Sequence, residues 1–106
     1  MTRAVRFEPE ALADIASAAR YYNKERGGLG TAFRNAVNAR VLALRRFPNA
    51  GRLVEHVELS LPARQVRLRR FPYLVIYVVT DEDVRVVAVA HEKRLPAFWL
   101  NRVERT

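Results

Sequence analysis

The chain of 106 residues contains no cysteine. A disulfide framework and a thiolate metal site are therefore both excluded. Lysine is scarce as well: of nineteen basic residues only Lys24 and Lys93 are lysine. No apolar run approaches the ~20 residues that a membrane-spanning helix requires. The opening residues, Met1-Thr2-Arg3-Ala4-Val5-Arg6-Phe7, lack the apolar core of a signal peptide and alternate like a strand. Internal repeats and low-complexity stretches are missing too. The expectation is a soluble, cytoplasmic protein with no membrane partner, folded as one domain over residues 1–106. Half of the residues are hydrophobic, enough for a modest core.

Charge is what the chain has in excess. Nineteen basic residues against eleven acidic ones give a net +8. Such a field suits an anionic partner, either nucleic acid or an acidic protein segment. The preference for arginine favours bidentate contact with phosphate or carboxylate.

Hydrophobic spacing predicts the elements. Arg3–Glu8 reads as a short strand, and Pro9 suits the first turn of a helix. From Ala11 to Lys24, Leu12, Ile15, Ala16, Ala19 and Tyr22 keep helical spacing until Gly27-Gly28. A second helix is predicted from Leu29 to Arg46 on the stripe Leu29, Phe33, Ala36, Val37, Val41 and Leu44. Arg34, Arg45 and Arg46 lie off that stripe, on a solvated face. Phe47-Pro48-Asn49-Ala50-Gly51 ends the helix. The short linker implies an antiparallel helical hairpin.

Strands follow. Leu53–Leu61 is irregular, and Pro62 interrupts it. Ala63–Arg70 alternates, with Val66 and Leu68 on one face and Arg67 and Arg69 on the other. Tyr73–Val79 is apolar on both faces and marks a central strand. Asp81-Glu82-Asp83 turns the chain into Val84–His91. The tail Leu95–Val103, with Trp99 as a packing anchor, suits a short helix. The expected class is α+β: an N-terminal strand, a helical hairpin, a three-stranded antiparallel sheet and a tail helix.

This order resembles the RelE/ParE superfamily, and its ParE-like branch most. The residues that carry the resemblance are Arg69-Arg70-Phe71-Pro72-Tyr73-Leu74-Val75-Ile76-Tyr77 and His91-Glu92-Lys93-Arg94-Leu95-Pro96-Ala97-Phe98-Trp99. Tyr21-Tyr22 and Phe47-Pro48-Asn49-Ala50-Gly51-Arg52 fit it as well. The resemblance implies a toxin of a type II toxin–antitoxin system, with a cognate antitoxin as partner. It also implies DNA gyrase as a target for ParE-like members, or mRNA in the ribosomal A site for RelE-like ones. A homodimer or a heterotetramer with antitoxin is compatible with it. No cofactor or metal is implied.

Metal-independent RNA cleavage needs a base, an acid and a cation near the phosphate. The candidates are Glu55 or Glu58 as base, Arg67 and Arg70 on phosphate, His91 as acid and Arg94 as clamp. Against that role, cleaving members commonly carry arginine three residues before the tyrosine of the central strand. Here that position is Leu74, before Tyr77. The expectation is thus a toxin that binds rather than cuts, through Arg64, Arg67, Arg69, Arg70, Arg94 and Trp99. Tyr73 and Tyr77 are expected in the core. His91 has a bland alternative, a backbone hydrogen bond near the tail, and His56 reads as an exposed polar residue. A plain nucleic-acid-binding module is the third alternative. It lacks a helix-turn-helix or a platform of aromatic residues in its support.

Overall fold

The computed structural model describes residues 2–55, 62–94 and 98–104. Its elements are β1 (Ala4–Phe7), α1 (Pro9–Glu25), α2 (Leu29–Arg46), β2 (Arg52–Leu53), β3 (Ala63–Arg67), β4 (Tyr73–Val79), β5 (Asp83–His91) and α3 (Leu100–Glu104). Pro9 opens α1, where a missing N–H costs nothing. Gly28 sits between the helices at φ 87°, a left-handed conformation that glycine adopts without steric penalty. The chain then reverses into α2, which spans the residues that its apolar stripe predicts.

The sheet differs from the sequence expectation. It has five strands in the order β1-β5-β4-β3-β2, not three. It is mixed: β1 lies parallel to β5, and the other pairs are antiparallel. The helical hairpin is the crossover that makes this possible. It carries the chain from β1 over one face before the strands that follow are laid down, and a parallel pair needs such a connection. β2 adds two residues at the far edge. β3 stops at Arg67 rather than Arg70, because Leu68–Pro72 turns. The Leu68 N–H donates to the Tyr73 carbonyl at 3.0 Å across that turn.

β4 and β5 alternate between two cores. Val75, Tyr77, Val84, Val86 and Val89 join the hairpin's Ile15, Ala19, Phe33, Val37 and Leu44. Ile76, Val78, Val87, Ala88 and Ala90 face the other way, under Trp99 and Val103 of the tail. A β-bulge interrupts the register: Ile76 pairs with Ala88, but Tyr77 pairs with Val86. Val87 is left over, so two successive residues face the tail and the alternation beyond them is inverted.

β1 is shorter than β5 and ends opposite Val86. The remainder of that edge, which no strand pairs, is closed by side chains. Asp14 of α1 accepts the Val89 N–H at 3.1 Å, and Arg102 of α3 donates to the Val87 carbonyl at 3.2 Å. Asp14 and Arg102 pair with each other at 2.8 Å. One ion pair thus ties both helices to a strand edge that would otherwise stand open.

Candidate functional site

The open part of the tail-side face forms a concave groove of about 490 Å³. Its floor is Leu74 and Ile76 of β4 and Ala90 of β5, with Trp99 at one end. Cations ring it: Arg52 of β2, Arg67 of β3, and Lys93 and Arg94 of the turn after β5. Register brings them together, since Leu74 lies between Arg67 on β3 and Ala90 on β5.

Several polar side chains at the rim are held by named contacts. Arg67 pairs with Glu92, Nε to Oε2, at 2.8 Å. Arg94 places its guanidinium over the Phe98 ring at 4.0 Å from the centroid, a cation–π contact that holds it against the tail. His91 accepts the Lys93 N–H on Nδ1 at 3.2 Å, and its ring stands edge-on to Tyr73 at 5.4 Å. The inverted alternation beyond Val87 is what turns His91 toward Tyr73 and the hairpin side. Its neutral form then carries the proton on Nε2.

Arg52 owes its position to a clamp beneath the sheet. The Tyr77 hydroxyl donates to the Pro48 carbonyl at 2.7 Å and accepts the Gly51 N–H at 2.9 Å. Arg64 donates to the carbonyls of Asn49 and Gly51 at 3.3 and 2.7 Å. A Cβ on Gly51 would lie 2.5 Å from the Tyr77 hydroxyl, so the close approach requires glycine. The turn from Pro48 to Gly51 is thereby fixed, and Arg52 leaves it toward the groove. Burial raises the ionisation of Tyr77 above its ordinary 10.0, with Gly51, Arg64 and Arg40 opposing. Burial likewise raises Tyr73 and Tyr22, with neighbouring tyrosines adding to it.

The structure separates the residues that the sequence groups. Arg67 and Arg94 meet at the groove; His91 is in its lining, but its ring is turned to Tyr73. Arg64 faces the other side of β3 and serves the clamp. Arg69 and Arg70 leave the sheet and line a second concavity against Arg40 and the alanines of α2. Glu55 is exposed and is not among the residues that line the groove. Trp99, named as a binding residue, is 3% exposed and sits in the tail-side core. Tyr77 is fully buried, as expected of a core residue, and Tyr73 is half-buried. Glu58, His56, Leu95 and Pro96 lie outside the described residues. Sequence reasoning missed Arg52, Arg40 and the Asp14–Arg102 pair. Arg52 follows the Phe-Pro-Asn-Ala-Gly turn directly, a signal that was legible. Asp14 and Arg102 are 88 positions apart, and no local pattern joins them.

Among the described residues no group of three or more His, Cys, Asp or Glu is placed to hold a metal ion. No described helix is long and apolar enough to cross a membrane.

Comparison with known proteins supplies the family. A solved structure titled as a chromosomal ParDE toxin–antitoxin system from P. aeruginosa contains a similar chain. It has a TM-score of 0.71 at 16% identity, over 85% of this chain and 96% of that one. A mutant of the E. coli toxin RelE in the free state superposes with a TM-score of 0.58 at 18% identity, over 98% and 95%. At such identities these two likenesses speak for the fold alone. No curated protein sequence matches. The model of the family described as the ParE toxin of the type II toxin–antitoxin system parDE matches residues 5–96, most of the chain. The chain belongs to that family of ParE toxins.

Proposed function

We propose that the chain inhibits DNA gyrase by binding it in the cytoplasm, and that a cognate antitoxin neutralises it. The observation that carries binding over chemistry is Leu74 on the groove floor. A scissile phosphate needs a cation against its oxygens. At the position where cleaving relatives place arginine, this chain offers an aliphatic side chain flanked by Ile76 and Ala90. Glu92, the carboxylate of the groove, is engaged by Arg67. Such a surface suits recognition by shape and charge. The antitoxin is supported by the net +8, which calls for an acidic complement, and by the similarity to a chain of a ParDE system.

A second reading, ribosome-dependent cleavage of mRNA, draws on Arg67 and Arg94 at one groove with His91 in its lining. Purified chain added to a gyrase supercoiling reaction separates the two. Inhibition at stoichiometric toxin, relieved by the antitoxin, is the expected result. Cuts in mRNA at the ribosomal A site, with supercoiling intact, would replace the gyrase reading by the nuclease one.

A further inference from the structure

Unbalanced positive charge gathers at one end of the sheet, where the rim of the groove continues into Arg69 and Arg70. There β3 runs out at Arg67, β4 begins at Tyr73 and β5 ends at His91. Residues 67–72 and 92–94 carry five cations, Arg67, Arg69, Arg70, Lys93 and Arg94, against one carboxylate, Glu92. Arg40 of α2 joins them by donating to the Arg67 carbonyl at 3.2 Å. The opposite end is different. There Asp81-Glu82-Asp83 link β4 to β5, and Arg3, Arg6 and Arg45 nearby are engaged, which leaves Arg46 as an exposed cation beside three carboxylates. Arg3 donates to the carbonyls of Thr80 and Asp81 at 2.6 and 2.8 Å, and Arg6 pairs with Asp83 at 3.5 Å. The chain is electrically polar along its strands.

We propose that this basic pole docks on the phosphate backbone of duplex DNA, so that the toxin meets gyrase together with the DNA that gyrase holds. The last clause rests on the gyrase reading above; the DNA contact does not. Three features select a duplex. First, Arg40, Arg69 and Arg70 rim a concavity of about 530 Å³ whose floor is Ala32, Ala36 and Ala39, and guanidinium forks match phosphate oxygens. Second, the exposed large apolar side chains among the described residues are Leu12, Tyr21, Leu42, Phe47 and Leu53. None lines this concavity, so it lacks the apolar anchors on which a protein partner's affinity rests. Third, the ring that directly follows Arg69 and Arg70 is consumed by packing. Phe71 is buried against Tyr22 and Phe33 at 4.8 and 5.2 Å, so the ring between Arg70 and Tyr73 offers no platform for unstacked bases.

The test is fluorescence anisotropy of a labelled duplex of about 30 base pairs, titrated with the chain at several salt concentrations between roughly 50 and 200 mM. Expected is binding that weakens steeply with salt. Arg69→Glu/Arg70→Glu should weaken it at least tenfold and lower the slope of log K against log salt by about 2. Arg69→Lys/Arg70→Lys should keep most of that slope. Arg46→Glu, an exposed change at the opposite end, should cost far less per charge. Matched melting curves establish that the variants are folded. The proposal is overturned if the Glu variant superposes on the parent, or if Arg46→Glu costs as much per charge. It is also overturned if a single strand of the same sequence, or poly-L-glutamate, binds more tightly at equal salt. A Glu variant that loses DNA binding yet inhibits supercoiling fully would remove DNA from the mechanism and leave the gyrase reading standing.

Discussion

The two faces of the sheet draw on the same strands, β4 and β5, yet they end in different states. The hairpin face is sealed. Phe33, fully buried, touches Tyr22, Phe71 and Tyr73 at centroid distances of 5.5, 5.2 and 5.0 Å. Two helices of 17 and 18 residues cover it. The tail face is covered in part, by Trp99, Val103 and their neighbours, and the rest is the basic groove. One face thus invests its side chains in packing, and the other keeps cations beside an aliphatic floor. The difference is a division of labour: stability is drawn from the hairpin side, and the basic groove is held where little stability depends on it.

That comparison can be broken by mutation. Phe33→Ala should be the most damaging change, costing about 3–5 kcal/mol as a large core truncation, measured by urea unfolding. A loss below about 1 kcal/mol would mean that the sealed face is not where stability resides.

Asp14→Ala comes next. It leaves Arg102, whose side chain is 13% exposed, with the Val87 carbonyl but no carboxylate, and removes the acceptor of the Val89 N–H. The expected cost is about 2–3 kcal/mol, with faster amide exchange at Val89 as the local readout.

Tyr77→Phe keeps the ring and deletes the clamp, leaving the Gly51 N–H and the Pro48 carbonyl without their partner. About 1–2 kcal/mol should be lost. The same hydroxyl fixes a pH dependence. Tyr22, Tyr73 and Tyr77 all ionise above their ordinary 10.0 in the folded chain, chiefly through burial. A group raised on folding contributes stability that is fully present below its unfolded pKa and is lost as pH rises through the folded one. Stability should therefore hold up to about pH 10 and fall above it, with tyrosinate absorbance rising together with unfolding. In a Tyr21→Phe background, which removes the exposed phenol, tyrosinate appearing at pH 10 with the fold intact would contradict the burial argument.

Arg67→Ala should have the smallest effect on stability, within about 0.5 kcal/mol, because its pair with Glu92 is solvent-screened. Its effect on inhibition should be larger than its effect on melting. Equal loss of both would mean that the groove is structural after all.

Much of this was readable from residue order. Apolar period and turn chemistry placed α2 from Leu29 to Arg46 and β4 from Tyr73 to Val79 at their observed bounds. Pro9 and Gly27-Gly28 marked the helix ends. The motifs around Phe71–Tyr77 and His91–Trp99 pointed to the family that the comparison with family models then showed. The sheet was only partly legible, because pairing is a property of segments far apart. Nothing within residues 4–7 says that they lie parallel to β5 and make the sheet mixed. A two-residue strand such as β2 has no period to detect.

By itself, then, the sequence determined element types, hairpin order, charge excess and family, since each depends on neighbours within a few positions or on composition. Tertiary structure alone decided which arginines share a surface. The turn after Arg67 sends Arg69 and Arg70 to the α2 side, the Tyr77 clamp aims Arg52 at the groove, and the bulge at Val87 turns His91 toward Tyr73. The physical reason is geometric. A single unopposed residue inverts the face of every side chain after it, and such a residue is defined only by the strand it fails to pair with.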